Sequence, residues 1–195
     1  MVDTKKEEVK KKHRYKHSGG KRWVEVRIKN PLQLFDARDP SPFRERDLDD
    51  DFVEYINASA NEFSPSIPLK VVIYIQEKET KELPKDSILE AIRSYYLYQI
   101  DLKKSELKAF AKRAQLFLLI GLTILILSVT IAGNLNLEHF PGLHGVLKEG
   151  FLIFGWVSFW RPIELILFDW YPLYEKISFY KKLLATEIEI IFEAA

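Results

Sequence analysis

The stretch that decides the fold is Gln-Leu-Phe-Leu-Leu-Ile-Gly-Leu-Thr-Ile-Leu-Ile-Leu-Ser-Val-Thr-Ile-Ala-Gly, residues 115–133, which lies in a charge-free run from Ala114 to Leu137. More than 18 uncharged apolar residues predict a transmembrane helix, because a helix of that length crosses about 30 Å of hydrocarbon. Twelve Leu, Ile, Phe and Val residues between Leu116 and Ile131 favour insertion by roughly 4–7 kcal/mol. We expect the first span over 114–134. The alternative, a buried core helix, would need amphipathic partner helices that the sequence does not offer.

A second apolar segment, 150–169, is interrupted by Arg161, Pro162 and Glu164. Its apolar residues favour insertion by roughly 3–6 kcal/mol, and Arg161 alone opposes it by about 3 kcal/mol. The segment is therefore marginal as a single helix and reasonable as the second half of a hairpin. The i,i+3 spacing of Arg161 and Glu164 lets the two charges pair on one face.

Small residues on both segments predict that the two helices pack closely. They are Gly121, Ser128 and Ala132 on the first segment and Gly155 and Ser158 on the second. Residues 135–149 then form a short extracytoplasmic loop.

Composition alone describes an ordinary soluble domain, with 195 residues, a formal net charge of +1 and no cysteine. It excludes a disordered chain, a disulfide scaffold and thiolate metal sites. The charge is unevenly distributed, because residues 1–29 carry a net +7 and residues 30–100 a net −6. The near-neutral total does not favour nucleic acid as a partner.

Basic residues near the ends of the two spans set the expected orientation. They precede the first span and follow the second, at Lys103, Lys104, Lys108, Lys112, Arg113, Lys176, Lys181 and Lys182, whereas the connecting loop holds only Lys148. The sequence therefore predicts a multi-pass protein of the inner (plasma) membrane. The positive-inside rule places both of its termini in the cytoplasm. The N-terminus has no apolar core of a signal peptide, so the first span serves as the targeting signal.

The polar half predicts a cytoplasmic α/β domain over 21–113, preceded by a flexible basic arm over 1–20. Lys21–Lys29 alternates like a half-exposed strand, and Leu69–Gln76 is richer in β-branched residues, like a buried one. Asp49–Phe63 between them has helical spacing, so the three make a crossover unit. The chain from Lys85 to Gly121 lacks Gly and Pro in between, which predicts one stiff helix running into the first span.

Residues 170–195 predict a cytoplasmic helix over 174–185 and a terminal strand over 186–193, where Glu and Ile alternate. A strand needs a sheet, and the expected sheet lies in the N-terminal domain. We therefore expect the strand to return to that domain. A helical tail remains the alternative.

The sharpest candidate site is an intramembrane polar cluster of Arg161, Glu164 and Asp169. Ionisable groups at membrane depth are costly, which makes them a functional hypothesis by default. Two interpretations remain open. In one, the cluster forms an ion path or an intersubunit contact, and conduction would require an oligomer. In the other, Arg161 and Glu164 are an intrahelical pair that snorkels toward the interface, with Asp169 marking the cytoplasmic end.

Other candidates concern the membrane surface and metals. Aromatic interface anchors are expected at Trp156, Trp160, Trp170 and Tyr171. Anionic lipid headgroups are the expected partner of the arm, through Lys5, Lys6, Lys10, Lys11, Lys12, Arg14 and Lys16. One alternative is nucleic acid, which fits the positive charge of the arm, although the arm lacks interleaved aromatic residues. A solvated arm without a partner is the other alternative. The acidic run Asp47, Asp49, Asp50, Asp51 and Glu54 favours a solvated helix start over a cation site, and His139 and His144 match no ligand motif.

Two segments resemble stretches of a group of uncharacterised bacterial membrane proteins that have a soluble N-terminal region and two C-terminal spans. The segments are Asp39-Pro40-Ser41-Pro42-Phe43-Arg44-Glu45-Arg46-Asp47-Leu48-Asp49 and Trp156…Trp160-Arg161-Pro162-Ile163-Glu164…Phe168-Asp169-Trp170-Tyr171-Pro172. The resemblance covers most of the chain after residue 20, except that the Lys-rich arm departs from it. It implies an architecture and no activity.

The sequence has no nucleophile elbow, HExxH, P-loop or dinucleotide fingerprint, so we expect no enzyme, no cofactor and no metal. The leading hypothesis is an anchored interaction or assembly module in the lipid bilayer, with a homo-oligomer or another membrane protein as partner. The alternative is a subunit of an oligomeric channel or transporter that uses Arg161 and Glu164.

Overall fold

The computed structural model describes residues 15–64, 66–76, 84–135 and 141–193. They form four strands: β1 (His17–Ser18), β2 (Lys21–Ile28), β3 (Leu69–Ile75) and β4 (Glu187–Phe192). They also form four α-helices: α1 (Asp50–Asn61), α2 (Lys85–Asn134), α3 (Pro141–Glu164) and α4 (Tyr171–Leu184). A 3₁₀ turn covers Pro31–Leu34, and a π-helical segment, Leu165–Asp169, follows α3.

The chain divides into two compact units. The sheet unit combines the chain up to Asp101 with the chain from Ser178 onward, and the hairpin unit is Leu102–Ile177. Helix α2 therefore contributes to both units, and so does α4. Two helices are long and apolar enough to cross a membrane.

The sheet is mixed and has the order β1-β2-β3-β4. Strand β1 is antiparallel to β2, whereas β2, β3 and β4 are parallel to one another. The β2–α1–β3 crossover is present. The terminal strand β4 pairs with β3, at the edge of the sheet where the sequence analysis expected the chain to return.

One face of the sheet forms the core of its unit. Val24, Ile73 and Ile75 are completely buried there, together with Ile88 of α2. Because side chains alternate along a strand, the neighbouring residues point to the opposite face. That face is mostly polar, apart from the buried Val72. It aligns Trp23, Lys70 and Glu187 across β2, β3 and β4.

The expected flexible arm over 1–20 is wrong for residues 15–20. Tyr15 is buried in the core, where its ring meets Phe63 edge-on with centroids 4.8 Å apart. Gly19 and Gly20 take φ values of +60° and +76°. A two-residue hairpin loop of this kind needs positive φ at both positions, which glycine provides without strain. The Gly-Gly pair is thus the turn of the β1–β2 hairpin.

The expected loop over 135–149 is also too long, because α3 begins at Pro141. Proline is favoured in the first turn of a helix, where its missing N–H has no partner to lose. At the other end, the expected second span over 150–169 is not a continuous α-helix, since α3 ends at Glu164 and the π segment continues to Asp169.

Candidate functional site

Arg161 binds both acidic residues of the predicted polar cluster. Its Nη1 donates to Oε2 of Glu164 at 2.7 Å, and its Nη2 lies 3.1 Å from Oδ2 of Asp169. The three side chains lie on the surface of the hairpin unit, with exposed fractions of 59%, 44% and 33% respectively. The cluster is therefore an ion-paired triad with one excess negative charge, open on the outside of the hairpin.

The π segment accounts for the contact between Arg161 and Asp169. Eight residues of a regular α-helix advance about 12 Å along the axis, which is more than an arginine side chain bridges easily. The wider turns of Leu165–Asp169 advance less per residue and change the direction in which Asp169 projects. Pro162 lies just before the segment and has no N–H to donate to the carbonyl of Ser158. The local helix geometry thus brings the second carboxylate to the guanidinium.

The two long helices approach each other closely at two glycines of the hairpin unit. A Cβ atom on Gly121 would lie 2.8 Å from Cγ of Pro162 and 3.2 Å from the carbonyl oxygen of Ser158. A Cβ atom on Gly155 would lie 2.9 Å from Cβ of Ser128. Ser128 and Ala132 are buried, as the small-residue pattern predicts for a helix contact.

The predicted aromatic anchors are all present on the surface of the hairpin unit. Trp156 and Trp160 are 62% and 68% exposed and lie one helical turn apart. Trp170 is less exposed, because its ring packs against Tyr171 and Tyr174 at centroid distances of 6.1 and 5.9 Å. Trp170, Tyr171 and Tyr174 thus form an aromatic cluster that follows Asp169 in the chain.

The acidic run starts a helix, as the sequence analysis favoured. The Asp49 side chain accepts hydrogen bonds from the backbone N–H groups of Asp51 and Phe52, both at 3.1 Å, and so caps α1. Upstream, Asp39 accepts from the N–H of Asp47 at 2.7 Å and of Ser41 at 2.9 Å. These bonds hold the pKa of Asp39 below its usual value. The Asp39 carboxylate thus closes the Asp-Pro-Ser-Pro loop by binding two backbone N–H groups.

The lipid-headgroup candidates fall on both sides of residue 15. Lys5, Lys6, Lys10, Lys11, Lys12 and Arg14 lie outside the described residues. Lys16 is exposed and donates to Glu25 at 2.8 Å, which raises its pKa. Of the two histidines in the predicted outer loop, His139 lies outside the described residues, and His144 is on α3. Within the described ranges no group of acidic or histidine side chains is arranged to hold a metal ion.

The sheet unit also contains a polar cleft, which was not predicted from the sequence. The cleft lies at the beginnings of the parallel strands and is lined by Lys21, Arg93, Lys182 and Glu187, among others. Arg93 and Lys182 are far apart in the chain. Each lies on an amphipathic helix, where a basic residue is ordinarily interpreted as a solvent-exposed side chain. Only the sheet topology brings them to one cleft.

Comparison of the chain with protein-family models, with curated proteins and with solved structures gives no match.

Proposed function

We propose that the protein is an integral inner-membrane protein with both termini in the cytoplasm. In this proposal the hairpin unit is embedded in the bilayer, and the sheet unit is a cytoplasmic α/β domain. The domain acts as a non-enzymatic, anchored interaction or assembly module.

The exposed apolar surface of the long helices carries this proposal. In the most apolar 18 residues of each candidate span, only 17% of residues are buried inside the molecule. Large side chains such as Leu119, Val129 and Ile153 are about half or more exposed. A core helix of a soluble protein would be covered by other elements, whereas a bilayer solvates such surfaces at no cost. The lipid bilayer is thus the partner that these helices require.

The helix contacts support a shallow depth for the charged triad. Gly155 lies beside Leu125, which is close to the middle of the charge-free run, so this level approximates the bilayer centre. Arg161 follows Gly155 by six residues, about 9 Å along a helix. Half of the hydrocarbon thickness is about 15 Å, which leaves about 6 Å to the interface. The long Arg161 side chain can snorkel over that distance, and Asp169 meets it from the cytoplasmic side.

The aromatic anchors fall into two pairs at different distances from the bilayer centre. Trp170 and Tyr171 follow Gly155 by fifteen and sixteen residues, which would be about 22–24 Å in a regular α-helix. The intervening π segment shortens this distance, but both residues still lie beyond the half-thickness of about 15 Å. This is the headgroup region that Trp and Tyr prefer. Trp156 and Trp160 lie about 2 and 8 Å from the centre, within the acyl chains. Their exposed rings are suited to contact lipid tails or a second membrane helix.

The proposed orientation is tested with single cysteines, because the chain has no native cysteine that would react. Ser18→Cys and Glu175→Cys report the two ends of the hairpin, and Gly142→Cys reports the connection. All three positions are exposed. We expect a membrane-impermeant maleimide to label Gly142→Cys in intact cells and the other two only after permeabilisation. Labelling of all three variants in intact cells, or recovery of the wild type without membranes, would contradict the proposal.

The assembly role is tested by mild detergent extraction followed by native mass measurement. We expect a species heavier than the monomer, formed either by copies of the chain or with another membrane protein. A bare monomer at the same detergent concentration would refute the assembly role and leave the membrane topology untouched.

A channel or transporter subunit is the second candidate, favoured by the exposure of the Arg161 triad on the surface of the hairpin unit. The double substitution Arg161→Leu/Glu164→Leu separates the two. Within a structural role, the variant inserts at least as well as the wild type and keeps the oligomer. Within a conducting role, it inserts normally and assembles, but flux in reconstituted vesicles is lost. Arg113→Leu is the control, since it changes a basic residue outside the triad.

A further inference from the structure

The cleft at the beginnings of the parallel strands has the size of a small-molecule site. Its volume is about 700 Å³. Ligand pockets of proteins commonly measure about 300–1,000 Å³. The segment before β3, the start of β2, helix α2, the end of α4 and the turn that leads into β4 each contribute part of its wall. All of these segments belong to the sheet unit.

The acidic residue of the cleft is already neutralised. Oε2 of Glu187 accepts from Nζ of Lys21 at 2.6 Å, and Oε1 lies 2.9 Å from Nζ of Lys70. The hydrogen bond from Lys21, followed by that from Lys70, lowers the pKa of Glu187 to about 2. Glu187 therefore remains ionised and committed to these two lysines at neutral pH. It does not compensate the other cations of the cleft.

Two cations of the cleft have no carboxylate partner among the described residues. Arg93 is an exposed residue of α2 that lines the cleft, and it makes no ion pair with any described residue. Lys182 is half-buried, and its Nζ donates to a neutral group, the backbone carbonyl of Ser64, at 3.0 Å. The loss of hydration lowers the pKa of Lys182. An ammonium group that has lost water without gaining a counter-ion favours the binding of an anion.

The remaining wall determines what kind of anion fits. A guanidinium and an ammonium group together suit a phosphate, which the first binds in a bidentate manner and the second as a point charge. The hydroxyl of Ser66 adds a hydrogen-bonding group. Ile67, Pro68 and Leu184 form an apolar part of the wall, and a phosphate alone would leave this part empty.

We propose that this cleft binds a small organic phosphate, with its phosphate group held by Arg93 and Lys182 and its organic body lying against Pro68 and Leu184. The phosphate group can belong to a soluble ester or to a lipid headgroup, since both offer the same chemistry to the two cations. The proposal concerns a ligand site and goes beyond the role of the sheet unit as an assembly module.

The test measures ligand-induced shifts in unfolding temperature and calorimetric binding with the full-length protein in dodecyl maltoside micelles, which contain no phosphate. The soluble probe is phenyl phosphate, compared with inorganic phosphate. A separate arm adds phosphatidic acid to the micelles. We expect phenyl phosphate to bind at least five-fold more tightly than inorganic phosphate if the source is soluble. Stabilisation by phosphatidic acid, with no response to phenyl phosphate, assigns the same site to a lipid headgroup.

Arg93→Gln and Lys182→Gln each remove one cation and are expected to weaken binding at least ten-fold. Lys181→Gln is the matched control, because Lys181 is an exposed lysine of the same helical turn that does not line the cleft. Binding that is equal in all three variants would overturn the proposal. Equal affinity for phenyl phosphate and inorganic phosphate would refute the proposed contact of an organic body with Pro68 and Leu184. No response to any probe would refute the whole proposal. None of these outcomes depends on the orientation of the hairpin.

Discussion

Tyr96 is a polar residue in an apolar environment. It is 3% exposed on α2, and its ring lies against Tyr95 and Tyr180 at centroid distances of 5.4 and 6.1 Å. Its hydroxyl has no hydrogen-bond partner among the described residues. Burial raises the pKa of this hydroxyl above its ordinary value. A buried hydroxyl without a partner costs about 1–3 kcal/mol, because it has given up water without replacement.

Tyr96→Phe is therefore expected to stabilise the sheet unit by about 1 kcal/mol, since it removes the hydroxyl and keeps the ring. The measurement is amide hydrogen exchange of β3 in detergent micelles. Tyr55→Phe is the control, because the Tyr55 hydroxyl donates to the carbonyl of Glu25 at 3.2 Å, and its loss is expected to be neutral or slightly destabilising. A loss of stability in Tyr96→Phe would show that the hydroxyl has a partner after all.

Individual side-chain roles were predictable where they depend on neighbours in sequence. The Arg161–Glu164 pair follows from i,i+3 spacing, and Asp49 was expected at the start of a helix. Asp169 was included in the predicted cluster with Arg161 and Glu164. Its contact with Arg161, however, depends on the π segment, which no residue pattern predicted. Arg93 and Lys182 were not predictable as a pair, because each looks like an ordinary basic residue on its own helix.

At the scale of elements, the hairpin depends on the close approach of two helices at glycines. Gly155→Ala would place a methyl group 2.9 Å from Cβ of Ser128 and 3.4 Å from the backbone at Leu125. Because the Cβ of Ser128 is bonded directly to the backbone of its helix, it cannot move aside without shifting that helix, and we expect a loss of about 1–3 kcal/mol. Gly150→Ala is the control on the same helix, since nothing lies within 4 Å of that position. Alanine there is expected to be neutral or stabilising by up to about 1 kcal/mol.

Thermal unfolding of both variants in the same detergent provides the comparison. Equal unfolding temperatures for Gly155→Ala and Gly150→Ala would show that the helices do not pack at Gly155. A lower temperature for Gly155→Ala alone would agree with the contact.

Long elements were predictable because their signal is repeated many times along the chain. The single helix from Lys85 through the first span and the buried strand β3 both have such patterns. The short elements were missed. Strand β1 has two residues, and its strongest signal is the Gly-Gly turn, which lies inside the expected flexible arm over 1–20. Helix α3 starts earlier than expected, because polar residues near its beginning looked like a loop.

At the scale of the whole molecule, the sheet is built from two distant parts of the chain. Strand β4 follows both long helices and pairs with β3, which precedes them. Ile190 of β4 is 3% exposed and belongs to the core, whereas the adjacent Ile191 points to the other face and is half-buried. The alternation of Glu and Ile in residues 186–193 predicted a strand. Because no other sheet was expected, the strand was predicted to join the sheet of the N-terminal domain.

Ile190→Ala is expected to destabilise the sheet unit by about 2–5 kcal/mol, because it removes buried methyl groups and leaves a cavity. Ile191→Ala, one position along, is the matched control and should cost distinctly less. Hydrogen exchange of β3 reports both variants. Equal protection of β3 in the two variants would mean that the core does not depend on the terminal strand.

The position of β4 in the chain sets an order of events during synthesis. At roughly 5–20 residues per second, the ribosome needs about 6–22 seconds between the end of β3 and the start of β4. During that interval the β3 edge is unpaired and open to association with other strands. Both apolar helices have left the ribosome before the missing strand arrives. A completed sheet therefore requires that the whole hairpin has been made, and a chain that stalls between the two helices keeps its β3 edge unpaired.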